Sequence, residues 1–284
     1  RIFAIESVHN KYWSFSREGN DDRLHSVLTQ LPKDLRKFLT FNNESLISYD
    51  INNSQPFIFS SILNQISNPN INIMNGFIRS YDKPMYSFIM SDLFRKQLDT
   101  KDINNFIEKV IDGGFYEIYG DILFKEGILA EDINKKCYIT NLYSKKKKCK
   151  SYKKFDCRRE ASKYAIMLTL FSSENYNSDI TKVFEIHYPE IYKILQSIKS
   201  SNKNNYLPIL LQNIEANCIL DYCTKKIANK YPEMPLFTIH DSIVTTEKYQ
   251  KILEQEFPKL LGLYFGITPK LSIEYWKENI SKAS

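Results

Sequence analysis

LFTIHDSIVTT, residues 236–246, decides how this chain is read. Leu236 to Ile239 is apolar and β-prone, and Ile243 to Thr246 is β-branched throughout. His240, Asp241 and Ser242 between them are polar residues suited to a tight turn, so the stretch predicts a β-hairpin with one carboxylate at its tip. A His-Asp pair alone is an ordinary turn. The weight comes from SLISYDINNSQPFIFS, residues 45–60, where a second apolar strand, Leu46 to Tyr49, delivers Asp50 at its end. Two aspartates aimed off two strand ends can hold divalent cations. Oxygen ligands suit Mg²⁺, which keeps several waters and takes further ligands from phosphates. Two such ions suit phosphoryl transfer, activating the attacking oxygen and stabilising the leaving one.

The chain has 284 residues, 43% hydrophobic and 14% aromatic, enough to bury one large domain or two small ones. Its net charge of +6 is mild, but the lysines are clustered, which favours contact with nucleic acid. No apolar run is long enough for a membrane span, so no membrane association is expected, and no signal peptide is recognisable. The chain opens on Arg1 rather than Met and is read as a piece of a longer one. The five cysteines (137, 149, 157, 218 and 223) lack CxxC spacing, which argues against zinc and a disulfide framework and for reduced thiols in a cytosolic protein. The abundance of Asn, Ile, Lys and Tyr reads as the mark of an AT-rich genome.

Along the chain, Ile2 to Ile5 reads as an edge strand. Residues 19–40 begin as a turn and continue as strand or loop, with Pro32 opening a short helix to Leu39. Asp50 ends the next strand, and residues 54–66 form a helix with Pro56 in its first turn. Residues 69–74 read as loop and 86–97 as helix. Asp102 is expected to cap a helix over 105–111, broken by Gly113 and Gly114. The charge run SKKKKCKSYKKFDCRRE, residues 144–160, reads as a solvated loop leading into a helix over 158–171. Arg159, Lys163, Met167 and Phe171 recur there every four residues and share one face. For Met167 and Phe171 core packing is the ordinary explanation. Two cations above an apolar pair also suit a triphosphate gripped beside a stacked base. Residues 180–200 hold one or two helices, 208–227 a long apolar helix carrying Gln212, Asn213, Glu215 and Asn217, 248–257 a helix and 269–276 a last strand.

At this point the order of features resembles the family A DNA polymerases and the related single-subunit phage-type RNA polymerases, over roughly Asp21 to Trp276. DINNSQ, residues 50–55, resembles motif A, REASKYAIMLTLF, residues 159–171, motif B, and IHDS, residues 239–242, motif C. DRLHSVLTQLP (22–32) is similar to the segment preceding motif A, LPILLQNIEAN (207–217) to the helix preceding motif C, and PKLSIEYW (269–276) to the closing strand. The resemblance implies an α+β, right-hand polymerase core. Its palm would be a small antiparallel sheet from residues 1–69 and 205–284, its fingers a mostly helical insertion over 70–204, and its thumb absent or minimal.

It also implies roles. Asp50 and Asp241, with the Ile51 carbonyl as a further ligand, would hold two Mg²⁺ ions, for which Mn²⁺ is a possible substitute. Arg159 and Lys163 would neutralise the triphosphate, with Lys163 also a proton donor to the leaving pyrophosphate. Met167 and Phe171 would pack against the incoming base and sugar. His240 would contact the primer terminus, and Arg23 and Gln212 the backbone or minor groove. Lysines 145–148, 150, 153 and 154 would attract template or triphosphate. The implied activity is template-directed extension of a primer 3′-hydroxyl with dNTPs and release of pyrophosphate. The implied partners are a nucleic-acid primer/template, nucleoside triphosphates, and a further N-terminal domain or partner subunit supplying the thumb. The implied location is the cytoplasm of a bacterial, phage or mobile-element host cell, or an organelle.

Gln55, five residues after Asp50, stands where the DNA polymerases carry a glutamate that closes off the ribose 2′-hydroxyl. Phe171 lacks the hydroxyl of the tyrosine found in the RNA enzymes. Both favour deoxynucleotides, whereas Met167 and Ser242 look like the RNA polymerase versions. A phage-type RNA polymerase, a template-independent variant and a degenerate core acting as a nucleic-acid-binding module remain as alternatives. A phosphohydrolase built on the His-Asp pair needs further histidines, and His9, His25 and His187 are not suitably spaced.

Overall fold

The computed structural model describes residues 2–68, 91, 98–144, 149–200 and 206–277. It is a mixed α+β protein with antiparallel sheets and many helices. The chain divides into two units, Arg1–Ile58 with Leu210–Ser284, and Phe59–Ile209. The divisions fall inside the Ser54–Ser67 and Tyr206–Ala216 helices.

The first unit is built on a five-stranded antiparallel sheet. Leu271–Trp276, Glu44–Ile51, Ser242–Thr246 and Phe237–Ile239 lie side by side in that order, and Thr40–Phe41 pairs with the start of Glu44–Ile51. Leu46, Ile47, Ser48 and Tyr49 are all buried, as befits a central strand covered on both faces. One face packs Leu46, Ile239, Val244 and Trp276 into a cluster, and the Trp276 indole N–H donates to Ser48 Oγ at 3.3 Å. The Gln250–Phe265 helix packs across the Glu44–Ile51 and Ser242–Thr246 strands, with Phe265 edge-on to Phe57 at 5.0 Å between centroids.

The second unit has an aromatic core. Phe106 meets Phe115 at 5.0 Å and Tyr188 at 5.3 Å, and Tyr119 meets Phe184 at 5.8 Å, mostly edge-to-face as ring quadrupoles prefer. These rings come from the Thr100–Ile111, Phe115–Lys125 and Asp179–His187 helices and from Tyr188, ahead of Pro189–Ser200. Leu129–Glu131, Cys137–Ser144 and Cys149–Phe155 form a three-stranded antiparallel sheet.

Several local expectations are corrected. Ile2–His9 is a helix, not an edge strand. Glu6 O accepts from Asn10 N and the Ser7 hydroxyl donates to Phe3 O, so local bonding satisfies the backbone without a neighbouring strand. The helix beginning at Thr100 is capped by Asp99, whose carboxylate accepts from Lys101 N, and not by Asp102. Asp102 instead accepts from Glu190 N at the start of Pro189–Ser200. The lysine run leaves the solvated-loop reading at Cys149–Phe155, where Lys153 and Lys154 pair opposite Ile139 and Tyr138. The short helix after Pro32 ends at Arg36. The helix expected to stop at Phe257 runs through Pro258 to a left-handed Gly266, φ 74°. An interior proline costs roughly 3 kcal/mol. Burial of Phe257, Leu260, Leu261 and Phe265, each contributing about 1.5–3 kcal/mol, outweighs it. The loop at 69–74 and most of the helix expected over 86–97 lie outside the described residues. Among the described residues no helix is long and apolar enough to cross a membrane.

Because Trp276 is 2% exposed and closes both the cluster and one edge of the sheet, Trp276→Ala is expected to destabilise the protein by about 3–5 kcal/mol. Denaturant unfolding measures this; a loss below about 1 kcal/mol contradicts the placement of the core.

Candidate active site

Phe237–Ile239 and Ser242–Thr246 are joined by a two-residue turn, His240 and Asp241, with Ile239 opposite Ser242. His240 takes a positive φ of 50°, the conformation a tight hairpin asks for and one that His adopts more readily than a β-branched residue. The Ser242 hydroxyl donates to Ile239 O at 2.8 Å and ties the turn shut. On the other side of Ser242–Thr246, Asp50 pairs directly opposite Ser242, and Ile51 N donates to Asp241 O at 3.3 Å. The register therefore sets Asp50 beside Asp241.

The two carboxyls share a hydrogen bond, and the Asp241 carboxyl is pushed up, first by burial and then by the like charge of Asp50. Asp50 ends a strand that turns at once into a helix. Asn53, at φ 53°, makes the turn and its carbonyl accepts from Phe57 N at 2.8 Å. The helix start brings Ser54 and Gln55 back to the site. Ser54 stands within hydrogen-bonding reach of Asp241 and donates to Glu215 Oε2 at 2.7 Å. Gln55 Nε2 donates to the same oxygen at 2.6 Å, and Arg23 Nη2 lies 2.5 Å from Glu215 Oε1. Glu215 is raised to about 7, by burial and then the Asp241 charge, against the pull of Arg23 and Ser54. His240 is half-buried and held below the usual imidazole range by burial, then by the charges of Arg23 and His25. Its Nδ1 is buried without a hydrogen-bond partner.

The structure thus gathers Asp50, Asp241, Gln55, Arg23 and His240 in the first unit, with Ile51 joined to Asp241 through its N–H. Gln212 is half-buried on the Tyr206–Ala216 helix, where its neighbour Asn213, not Gln212, reaches back to the N-terminal segment, donating to Asn20 O at 2.9 Å. Arg159, Lys163, Met167 and Phe171 lie on the Arg158–Phe171 helix of the second unit. Arg159 and Lys163 are exposed, Met167 and Phe171 half-buried, and the opposite face buries Ala161, Ala165, Ile166 and Leu170. Core packing therefore does not account for the four-residue stripe. Arg159 pairs with exposed Glu117 at 2.8 Å. Lys153 and Lys154 are exposed, lysines 145–148 lie outside the described residues, and nothing is described of the Lys150 side chain. Glu215 was not among the site residues read from sequence. Its signal was a carboxylate set between Leu211 and Ile219 on an apolar helical face, where a charge needs a buried partner.

Among the described residues no three His, Cys, Asp or Glu side chains are placed to hold a metal by themselves. The Asp50–Asp241 pair nevertheless fits a hard cation. Two adjacent carboxyls resist ionising together, and a divalent ion removes that penalty while drawing further ligands from backbone carbonyls, water or phosphate.

No family model matches the chain, and no curated protein matches it. Among solved structures it is similar to the POL domain of Pol1 from M. smegmatis in complex with DNA primer-template and dNTP. The identity is 14% and the TM-score 0.38, over 96% of this chain and 50% of that one. The chain thus spans half the length of that structure.

Raised carboxyls have a definite linkage sign. With folded values near 7 for Asp241 and Glu215 and unfolded values near 4, the stability they contribute is present in acid and is lost as pH rises through about 7. Asp241→Asn removes one of the two. In EDTA, the variant's Tm is expected to gain on the wild type between pH 5 and pH 8. Mg²⁺ at pH 8 should raise the wild-type Tm and leave the variant's unmoved. Parallel pH profiles for the two proteins contradict the shared-proton description of the pair.

Proposed function

We propose that the chain is a polymerase of the right-hand type, a nucleotidyltransferase that extends a primer 3′-hydroxyl on a template with dNTPs. The observation that supports it most is the pairing of Asp50 against the Asp241 turn. The aspartates of two motifs recognised independently in sequence share one hydrogen bond. On this reading the five-stranded sheet is a palm and the helical unit carries the fingers. Asp50 and Asp241, with the Ile51 carbonyl, hold Mg²⁺. When bound, Mg²⁺ supplies Lewis-acid activation of the 3′-hydroxyl and charge neutralisation on the triphosphate.

The chain's own residues supply the rest. Arg159 and Lys163 are cations on an exposed helix face and take the phosphates, with Lys163 giving a proton to the leaving pyrophosphate. Met167 and Phe171 offer the half-buried apolar surface for base and sugar. His240, neutral near physiological pH because its pKa is lowered, meets the primer terminus without adding charge beside Arg23. Arg23 and Gln212 hold the nucleic acid, and Gln55 crowds the sugar position.

The test is single-nucleotide incorporation on primed DNA with Mg²⁺, offering dNTPs and rNTPs separately. Extension with dNTPs is expected. Asp50→Asn and Asp241→Asn should each lower it more than about 100-fold, since losing a ligand costs at least what losing a ligand's supporting partner does. Primer-template affinity should hold. Mg²⁺-dependent product from Asp241→Asn at the wild-type rate would overturn the site, and extension with rNTPs alone would move the chain to the RNA polymerase branch.

A further inference from the structure

Two segments far apart in sequence, one carrying Arg23 and one carrying Ser54 and Gln55, end on one buried carboxylate. The Glu215 side chain is 1% exposed. Its Oε2 accepts from Ser54 Oγ and Gln55 Nε2 at 2.7 and 2.6 Å, and its Oε1 faces Arg23 Nη2 at 2.5 Å. Hydrogen bonds to an ionised acceptor are shorter and about twice as strong as neutral ones. The far end of the Gln55 amide, Oε1, is buried with no hydrogen-bond partner, as is Arg23 Nε. The bond to Glu215 is therefore what fixes which way the Gln55 amide faces, and the ion pair is what fixes the Arg23 guanidinium.

Stability alone is a poor reason to bury such a group. Replacing a buried ion pair by well-packed apolar residues is often neutral or stabilising, whereas removing one partner is costly. A carboxylate kept at this depth, bonded to two residues that flank the aspartate pair, fixes geometry instead.

We propose that Glu215 is a positioning residue for the sugar of the incoming nucleotide: it holds the Gln55 amide in the orientation that disfavours a ribose 2′-hydroxyl and locks Arg23 in register with it. This rests on the polymerase reading above. Glu215 touches neither phosphate nor metal in this role and acts through Gln55.

The experiment measures kcat/KM for a dNTP and its matching rNTP with wild type, Glu215→Ala, Glu215→Gln, Gln55→Ala and the Glu215→Ala/Gln55→Ala double variant, with thermal unfolding of each as a check on folding. Glu215→Ala is expected to lower the dNTP-over-rNTP ratio by about tenfold or more, because small displacements of a positioning group change rates on that scale. The change should lie mainly in the KM for rNTP. The double variant should match Gln55→Ala alone, since the two residues act as one unit. Glu215→Gln keeps the volume but offers one acceptor oxygen to three donors, and should shift the ratio in the same direction by less. Equal slowing with both sugars and an unchanged ratio means a structural role and overturns the proposal. If Glu215→Ala does not fold, an unchanged ratio in Glu215→Gln overturns it equally. A wild type silent with both sugars overturns the polymerase reading itself, and is told apart from the other failures by that silence.

Discussion

Two like charges placed side by side by backbone hydrogen bonding are the constraint on which the first unit turns. Asp50 and Asp241 do not choose each other. They are neighbours because Glu44–Ile51 pairs with Ser242–Thr246 in the one register that buries Ile47, Tyr49, Ile243 and Val244. A slip of one residue would reverse every side chain on the strand, so the apolar pattern that holds the core also holds the two carboxyls together. The repulsion between them is the cost of that register, and it makes the site receptive to protons or cations.

The surroundings extend this logic. Ser54 links Asp241 to Glu215, and Glu215 carries Gln55 and Arg23, so three carboxyls and one guanidinium form a connected network. Two of the acids, Asp241 and Glu215, are raised, first by burial and then by the neighbouring carboxyl charge that a single arginine does not balance. His240 is held below the usual imidazole range against that excess of acid, first by its burial and then by the charges of Arg23 and His25.

What the sequence disclosed follows from where local chemistry is strong. The hairpin around His240, the strand ending at Asp50 and the helix from Arg158 to Phe171 all have patterns that one face of the fold enforces, and they were legible. The short apolar start, Ile2 to Ile5, reads as an edge strand, yet helix bonding forms over Ile2–His9. The helix expected to end at Phe257 continues through Pro258 to Phe265, carried by the apolar residues around the proline. Asp99, not Asp102, made the cap because the helix begins a turn earlier than its apolar spacing shows. Glu215 was invisible as a site residue for a different reason. Its meaning lies in partners at 23, 54 and 55, and no spacing rule connects those positions to 215.

The division of the chain also bears on how the protein is made. The central strand of the first unit emerges from the ribosome early, but its partners Ser242–Thr246 and Leu271–Trp276 come only after the whole of Phe59–Ile209 has been synthesised. Until then Ile47 and Tyr49 have no sheet to enter. The second unit, whose aromatic core joins Phe106, Phe115 and Tyr119 to Phe184 and Tyr188, has all its pieces before the first has its own. The carboxyl pair accordingly forms only after the second unit has been synthesised.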